Sequence, residues 1–443
     1  MSGAPSERAE GTQAMSVRGA AFLGVGAMVG AGIFALLGEA GAVAGAAVWL
    51  SFLIAGIVAA LLGYTVVKLG VRYPSSGGLI AYLVQGFGNG RLVGIASWLG
   101  YAAAIVIVCS MVAVSFGSYA TSLFVGDDAG GGWDNLFTSA IVVAAAVVSI
   151  VGASFVDRAQ TLIVFLLLAV FAVFIAVTIT QIDLDLLAFE GYPPFSDIVS
   201  SVALTFFAYL GFSVITFAAG DMRDPSRELP QAMYRALGVT TILYLLIAIS
   251  VFGTLTVGEV IEHGETAIAE AARPTLGDAG FVMMAIAALL ATSSSVNATI
   301  YASGGLTASL AEIGQFPTFF GRESRLGRNA GLLITAGIVL VIANLVNLSA
   351  IASVGSAIAL VVFLLVGIAG YRRRAETGAN AGIVLAAVGL TAVVLAFFAV
   401  DTFRNAPETF AAIVVLTVLA VLLDALWKRS RDRRTAEPAA RPS

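Results

Sequence analysis

Four glycines at positions 24, 26, 30 and 32 interrupt an apolar run, Gly24-Val25-Gly26-Ala27-Met28-Val29-Gly30-Ala31-Gly32-Ile33-Phe34. Glycine destabilises a helix interior by roughly 0.5–1 kcal/mol relative to alanine, so the spacing has two readings. Small-xxx-small pairs such as Gly26/Gly30 let helices pack closely. Alternatively, the stretch is unwound and its free N–H groups face a ligand. A second interruption lies in Phe206-Phe207-Ala208-Tyr209-Leu210-Gly211-Phe212-Ser213, where one glycine sits amid aromatics. Two such breaks suit a zwitterion. Amides at a half-helix N-terminus, with its positive dipole end, bind a carboxylate, and carbonyls freed at an opposing half-helix end accept from an ammonium group. A third feature, Thr292-Ser293-Ser294-Ser295 with Asn297, places hydroxyls in the middle of another apolar run.

The elements that must carry these residues are membrane helices. Of 443 residues, 59% are hydrophobic and 11% charged, against roughly 25% charged in a soluble domain. Such a chain has too little polar surface to face water all round. Apolar stretches close to the ~20 residues needed to cross a bilayer recur at 17–38, 43–67, 92–123, 136–152, 158–180, 196–220, 231–256, 278–312, 330–348, 350–370, 380–400 and 407–427, which makes twelve. The fold class is therefore an all-α integral membrane protein. Residues 1–16 form a polar tail without the apolar core of a signal peptide, and 428–443 a basic tail.

The charges test this count. With twelve spans and both termini on the same side, only Arg273 and Arg404 fall on the far side, out of 23 Lys and Arg. The positive-inside rule expects such a bias, which places both termini in the cytoplasm and the chain, multi-pass, in the cell membrane. A single His and a single Cys exclude a disulfide framework and a Cys/His metal cluster. No His/Cys/carboxylate constellation of the kind hydrolysis or redox chemistry needs is present within the spans, so an enzyme is not expected, nor any cofactor. Nothing in the net charge of -4 points to nucleic acid. Cys109 reads as packing and His263, among Glu259, Glu262 and Glu265, as part of a solvated external loop. The run Arg372-Arg373-Arg374 is a basic anchor.

With spans one to five (17–180) and six to ten (196–370) taken as halves and 380–427 as two further helices, the breaks open each half in register. Paired interruptions are the best sequence pointer to a transporter's midplane site. Three blocks then resemble the amino acid–polyamine–organocation transporters: Val29-Gly30-Ala31-Gly32-Ile33-Phe34; Arg72-Tyr73-Pro74-Ser75-Ser76-Gly77-Gly78 with Tyr82 and Phe87-Gly88; and Phe207-Ala208-Tyr209-Leu210-Gly211-Phe212 running into Asp224-Pro225-Ser226-Arg227-Glu228-Leu229-Pro230. The resemblance implies a five-plus-five inverted repeat with broken first and sixth helices, and alternating access around a central site. It implies a substrate carboxylate at Gly30, Ala31 and Gly32, beside Ile33. The ammonium would lie near Phe207, Ala208 and Leu210, with Tyr209 and Gly211 in the same stretch. Phe207 would be an aromatic gate, or else an ordinary packing ring.

Departures from that pattern bear on mechanism. Where relatives carry a fifth-helix Lys this chain has Leu167, and where one branch has a sixth-helix Glu it has Ser213. Lys68 stands in place of a Glu, and Gly305 in place of an Arg. Intramembrane charges are the usual proton relays, so their absence argues against proton coupling and against a cationic substrate. Sodium-coupled proteins of the same fold hold the ion with eighth-helix hydroxyls, which implies Thr292, Ser294 and Ser295 as a sodium site. The alternative is hydroxyls bonded back to their own helix. The expected function is secondary transport of a neutral amino acid, with obligate exchange or a transport-inactive amino acid sensor as alternatives. The partners are the small-molecule substrate and the bilayer, and the oligomeric state is left open.

Overall fold

A computed structural model describes residues 15–75, 78–126, 132–151, 156–320 and 329–436. Among these, all regular structure is helical. Hydrocarbon offers backbone groups no partner, so a spanning segment must pair its own N–H and C=O groups. Ten helical stretches among the described residues are long and apolar enough to cross a membrane, and Val17–Gly30, Gly78–Phe87 and Asn329–Leu345 are shorter apolar helices. The tail 1–14, the connector 321–328 with its arginines, and 437–443 lie outside the described residues.

The apolar stretch at 17–38 is two helices, Val17–Ala31 and Ile33–Ala44. The stretch at 196–220 divides into the α-helix Phe195–Phe207 and a 3₁₀ stretch, Leu210–Asp221. Arg91–Phe124 runs unbroken but contains a π-helical segment, Ala102–Ile107. The helix Arg273–Glu312 is kinked at Gly277, whose φ of 62° only glycine adopts readily. The turn between 330–348 and 350–370 is real: Asn347 caps the helix Leu348–Arg372, its side chain accepting from the Ala350 amide at 2.8 Å.

Two elements differ from the sequence reading. Gly78–Phe87, which falls between the expected spans 43–67 and 92–123, is a helix, and Arg372 and Arg373 donate to the carbonyls of Gly86 (3.3 Å) and Gln85 (2.7 Å) at its C-terminal end. Those carbonyls lack intrahelical partners, and cations are favourable there. The last helix, Pro407–Ala436, continues well beyond the expected end at 427 into the basic residues, a composition that suits a helix C-terminus.

Burial sorts the helices into an inner and an outer set. The apolar window of Phe195–Thr216 is 78% buried and that of Leu348–Arg372 72%, against 28% for Ala381–Asn405 and 11% for Pro407–Arg429. Val17–Ala31 packs on Pro225–Phe252, on the 3₁₀ stretch and on Arg273–Glu312. Hydroxyls stitch the inner set together. Ser201 donates to Ser51 at 2.5 Å, and Thr205 to the Ser51 carbonyl at 3.0 Å, which ties Phe195–Phe207 to Val48–Arg72.

Candidate functional site

The two broken helices meet at their breaks, and glycine is what lets them. A Cβ on Gly32 would stand 2.7 Å from the Ala208 carbonyl oxygen, and one on Gly211 would stand 2.5 Å from the backbone of Ala27 and Met28. The contact is reciprocal: each helix presents a glycine to the other's backbone. Gly30 differs, because a Cβ there would meet only the Ala291 carbonyl oxygen at 3.5 Å and Ser295 Cβ at 3.8 Å.

The first break is short. Gly30 and Ala31 end the first half-helix, Ile33 opens the second, and Gly32 alone falls between them, with φ -98° and ψ -65°. Its amide still donates to Met28 O at 3.0 Å. The second break is long. Ala208 and Tyr209 leave the α-helix, their amides turning back to Thr205 O (3.2 Å) and Phe206 O (2.9 Å), and the chain continues as 3₁₀ helix through Leu210 and Gly211. Between the breaks sits the fully buried Tyr244, from the helix Pro225–Phe252. Its hydroxyl donates toward both Met28 O (2.8 Å) and Ala208 O (3.2 Å). Tyr209 packs edge-on against the Tyr244 ring at 5.1 Å and donates to Phe52 O at 3.1 Å.

A cavity of about 790 Å³ ends at this crossing. Gly30, Phe207, Ala208, Leu210 and Gly211 line it, as do Ser294 and Ser295. Gly32, Ile33 and Tyr209 do not line it; Gly32 and Tyr209 are instead engaged with neighbouring backbone and rings. Thr292 lies behind the wall, its hydroxyl donating to Ala288 O at 2.7 Å. Three of the positions singled out as departures, Leu167, Ser213 and Gly305, also form the wall, and among the described residues no Asp, Glu, Lys, Arg or His does. Cys109 is buried and outside the lining. Sequence reasoning missed the third-span wall formed by Ala104, Ile105, Val108 and Met111, because a uniformly apolar helix carries no signal for which face is wet.

The lining extends from the crossing to Pro74 and Ser75, which follow Arg72 at the end of Val48–Arg72. Away from that end, aromatic rings pack around the crossing. The Phe207 ring abuts Gly355 and Ile107, so that a Cβ on Gly355 would come within 2.6 Å of both. Phe34 stacks on Phe171 at 5.2 Å and meets Tyr119 edge-on at 5.7 Å. Beyond them a loop helix, Val257–His263, starts with a capping box in which Glu259 accepts from the Thr256 amide and hydroxyl at 2.8 Å. Those bonds hold the Glu259 carboxyl below the usual range. In the same loop, burial pushes the Glu265 carboxyl up, and Glu39 and Asp134 add like-charge repulsion.

A helical bundle with two interrupted helices crossing at the blind end of a polar-poor cavity is the architecture of a membrane transporter. The particular family follows from comparison: the amino acid permease family matches residues 15–421, and the chain belongs to it. The Inner membrane transport protein YbaT of Escherichia coli is 29% identical over 409 residues, covering 92% of this chain and 95% of that protein. The Serine/threonine exchanger SteT of Bacillus subtilis is 26% identical over 303 residues, 66% of this chain and 67% of the exchanger. Among solved structures, a mutant manganese transporter of Eremococcus coleocola shares the fold, with a TM-score of 0.58 and 13% identity over 92% of this chain and 93% of that one. The protein is a multi-pass membrane transporter and not an enzyme.

Proposed function

We propose that the protein moves a neutral amino acid across the cell membrane by alternating access, as a twelve-span transporter with a five-plus-five inverted repeat, and that this conformation faces the cytoplasm. The observation that carries the reading is the one-sided cavity. Its lining includes both breaks, where a half-helix N-terminus suits a carboxylate, and it extends to Pro74 and Ser75, which follow Arg72. On this reading the N- and C-termini are cytoplasmic, and the carboxylate lies by Gly30 and the start of Ile33–Ala44. The ammonium lies by Phe207, Ala208 and Leu210, and Phe207 seals the far side.

Sodium is the coupling ion the chemistry allows. Gly30 faces the helix at Ser295, Ser294 and Ser295 line the cavity there with Thr292 behind them, and a hard cation needs several such oxygens. Obligate exchange is the second reading, and a wall without ionisable relay groups among its described residues favours it over proton symport.

Uptake of radiolabelled amino acids into proteoliposomes, with and without a sodium gradient and with and without internal amino acid, tests both. Sodium-driven uptake into empty vesicles establishes symport, and a Thr292→Ala, Ser295→Ala double variant is then expected to lose sodium stimulation. Uptake that needs internal amino acid establishes exchange. Folded protein that takes up no amino acid under any condition overturns the amino acid reading and leaves a sensor or another organic substrate.

A further inference from the structure

The third span breaks its own helical rule at the cavity. Consecutive side chains on an α-helix point about 100° apart, and in the third span Ala103, Ala104 and Ile105 all line the cavity. The three lie in the π-helical segment Ala102–Ile107. An added residue in the turn broadens the face, and such π-bulges concentrate at functional sites. Ala104 is the most open of the three, exposed although it sits within the bundle.

The surface thus presented is hydrocarbon, continued along the same helix by Val108 and Met111. The hydroxyls near it are largely committed. Ser213 donates to Leu210 O (3.1 Å), Thr216 to Ser213 O (2.7 Å) and Thr299 to Ser295 O (2.8 Å), while Tyr101 is bonded to Thr335 at 2.6 Å. A hydroxyl or amide on the substrate side chain would leave water for a wall with few free partners, which is costly, whereas methyl and methylene groups gain by the same transfer.

We infer that the substrate side chain lies against the π-helical wall, and that the substrates are amino acids with hydrocarbon or thioether side chains rather than hydroxyl, amide or charged ones. This rests on the reading of the cavity as an amino acid site. A hydroxyl-bearing substrate, such as those named for the Bacillus exchanger, is therefore the informative competitor.

The test is competition binding to the purified full-length protein in nanodiscs with leucine, methionine, phenylalanine, alanine, serine, asparagine and lysine. Leucine and methionine are expected to bind at least about tenfold more tightly than serine or asparagine, the scale on which a hydrophobic pocket discriminates. Serine or asparagine binding as well as leucine overturns this inference and leaves the amino acid reading standing. Binding of none of them overturns the amino acid reading itself.

Location is tested by Ala104→Leu, with a cooperative melt as the check on folding. Leucine and methionine affinity is expected to fall by about tenfold and alanine affinity to stay within about twofold, since only the longer side chains reach the filled space. An equal change for all ligands, or none, places the side chain elsewhere. Should that variant not fold, Ala104→Ser adds a hydroxyl with little bulk. A shift of the serine-to-leucine preference toward serine is then expected, and an unchanged preference overturns the assignment.

Discussion

The two breaks arrive at one crossing by different means. The first has four nearby glycines and yet loses a single residue, Gly32, from its helices. The second leaves α-helical geometry from Ala208 to Asp221 with only Gly211 and Gly220 in that length. Glycine content therefore does not measure how far a helix unwinds. At Gly32 and Gly211 it measures how closely another backbone must approach. Unwinding at the second break is accommodated otherwise: 3₁₀ hydrogen bonds and the Tyr244 hydroxyl take up carbonyls that would be costly to bury unpaired.

Breaking the crossing outright should have the largest effect. Gly32→Leu forces a side chain into the Ala208 backbone, and overpacking of this kind is expected to cost about a hundredfold or more in substrate affinity. Scintillation-proximity binding on folded protein checks it, and wild-type affinity would falsify the crossing as the site. Gly211→Ala should follow, with a loss of about tenfold, because its Cβ would meet backbone rather than a movable side chain. The matched control, Gly305→Ala, lines the cavity but has no atom within 4 Å of the added Cβ, and its affinity should stay within about twofold. Similar losses in both variants would erase the distinction between close approach and cavity lining.

Removing the tie between the breaks is subtler. Tyr244→Phe keeps the ring and deletes the donor, which should cost about 1–3 kcal/mol of stability, read as a lower melting temperature together with weaker binding. The smallest effect should come from the far-side loop. Folding holds the Glu265 carboxyl above its ordinary value, so its neutral form is favoured in the folded state. The wild type then loses stability as pH rises from the ordinary carboxyl value through the raised one. Glu265→Gln should melt about 1 °C higher above that window and equally below it, as measured by melting curves across pH.

What the sequence made legible was whatever has a compositional cause. Runs of apolar residues locate the helices because lipid demands them, and the glycines located the first break to within two residues. The second break was placed by its position in the sixth span, since nothing in Ala208-Tyr209 itself announces one. The π-helical segment reads Ala-Ala-Ala-Ile-Val-Ile and was invisible, because its geometry is set by neighbours and not by propensity. The roles of Tyr244 and Gly355 were equally hidden. Both depend on residues more than a hundred positions away, Met28 in one case and Phe207 in the other.

The final helix connects these internal matters to the membrane. Its apolar stretch Pro407–Arg429 has 23 residues, about 34 Å at 1.5 Å per residue, against a hydrocarbon thickness of about 30 Å. A helix longer than the bilayer tilts to fit, and one that is 11% buried meets little protein to restrain it. Near its C-terminal end Trp427 donates to Gly314 O at 3.1 Å, and two residues on lies Phe316, stacked on Trp98 at 3.9 Å beside the cavity-lining Tyr101. A change in that tilt would be passed, through one indole and one phenyl ring, to the cavity-lining Tyr101.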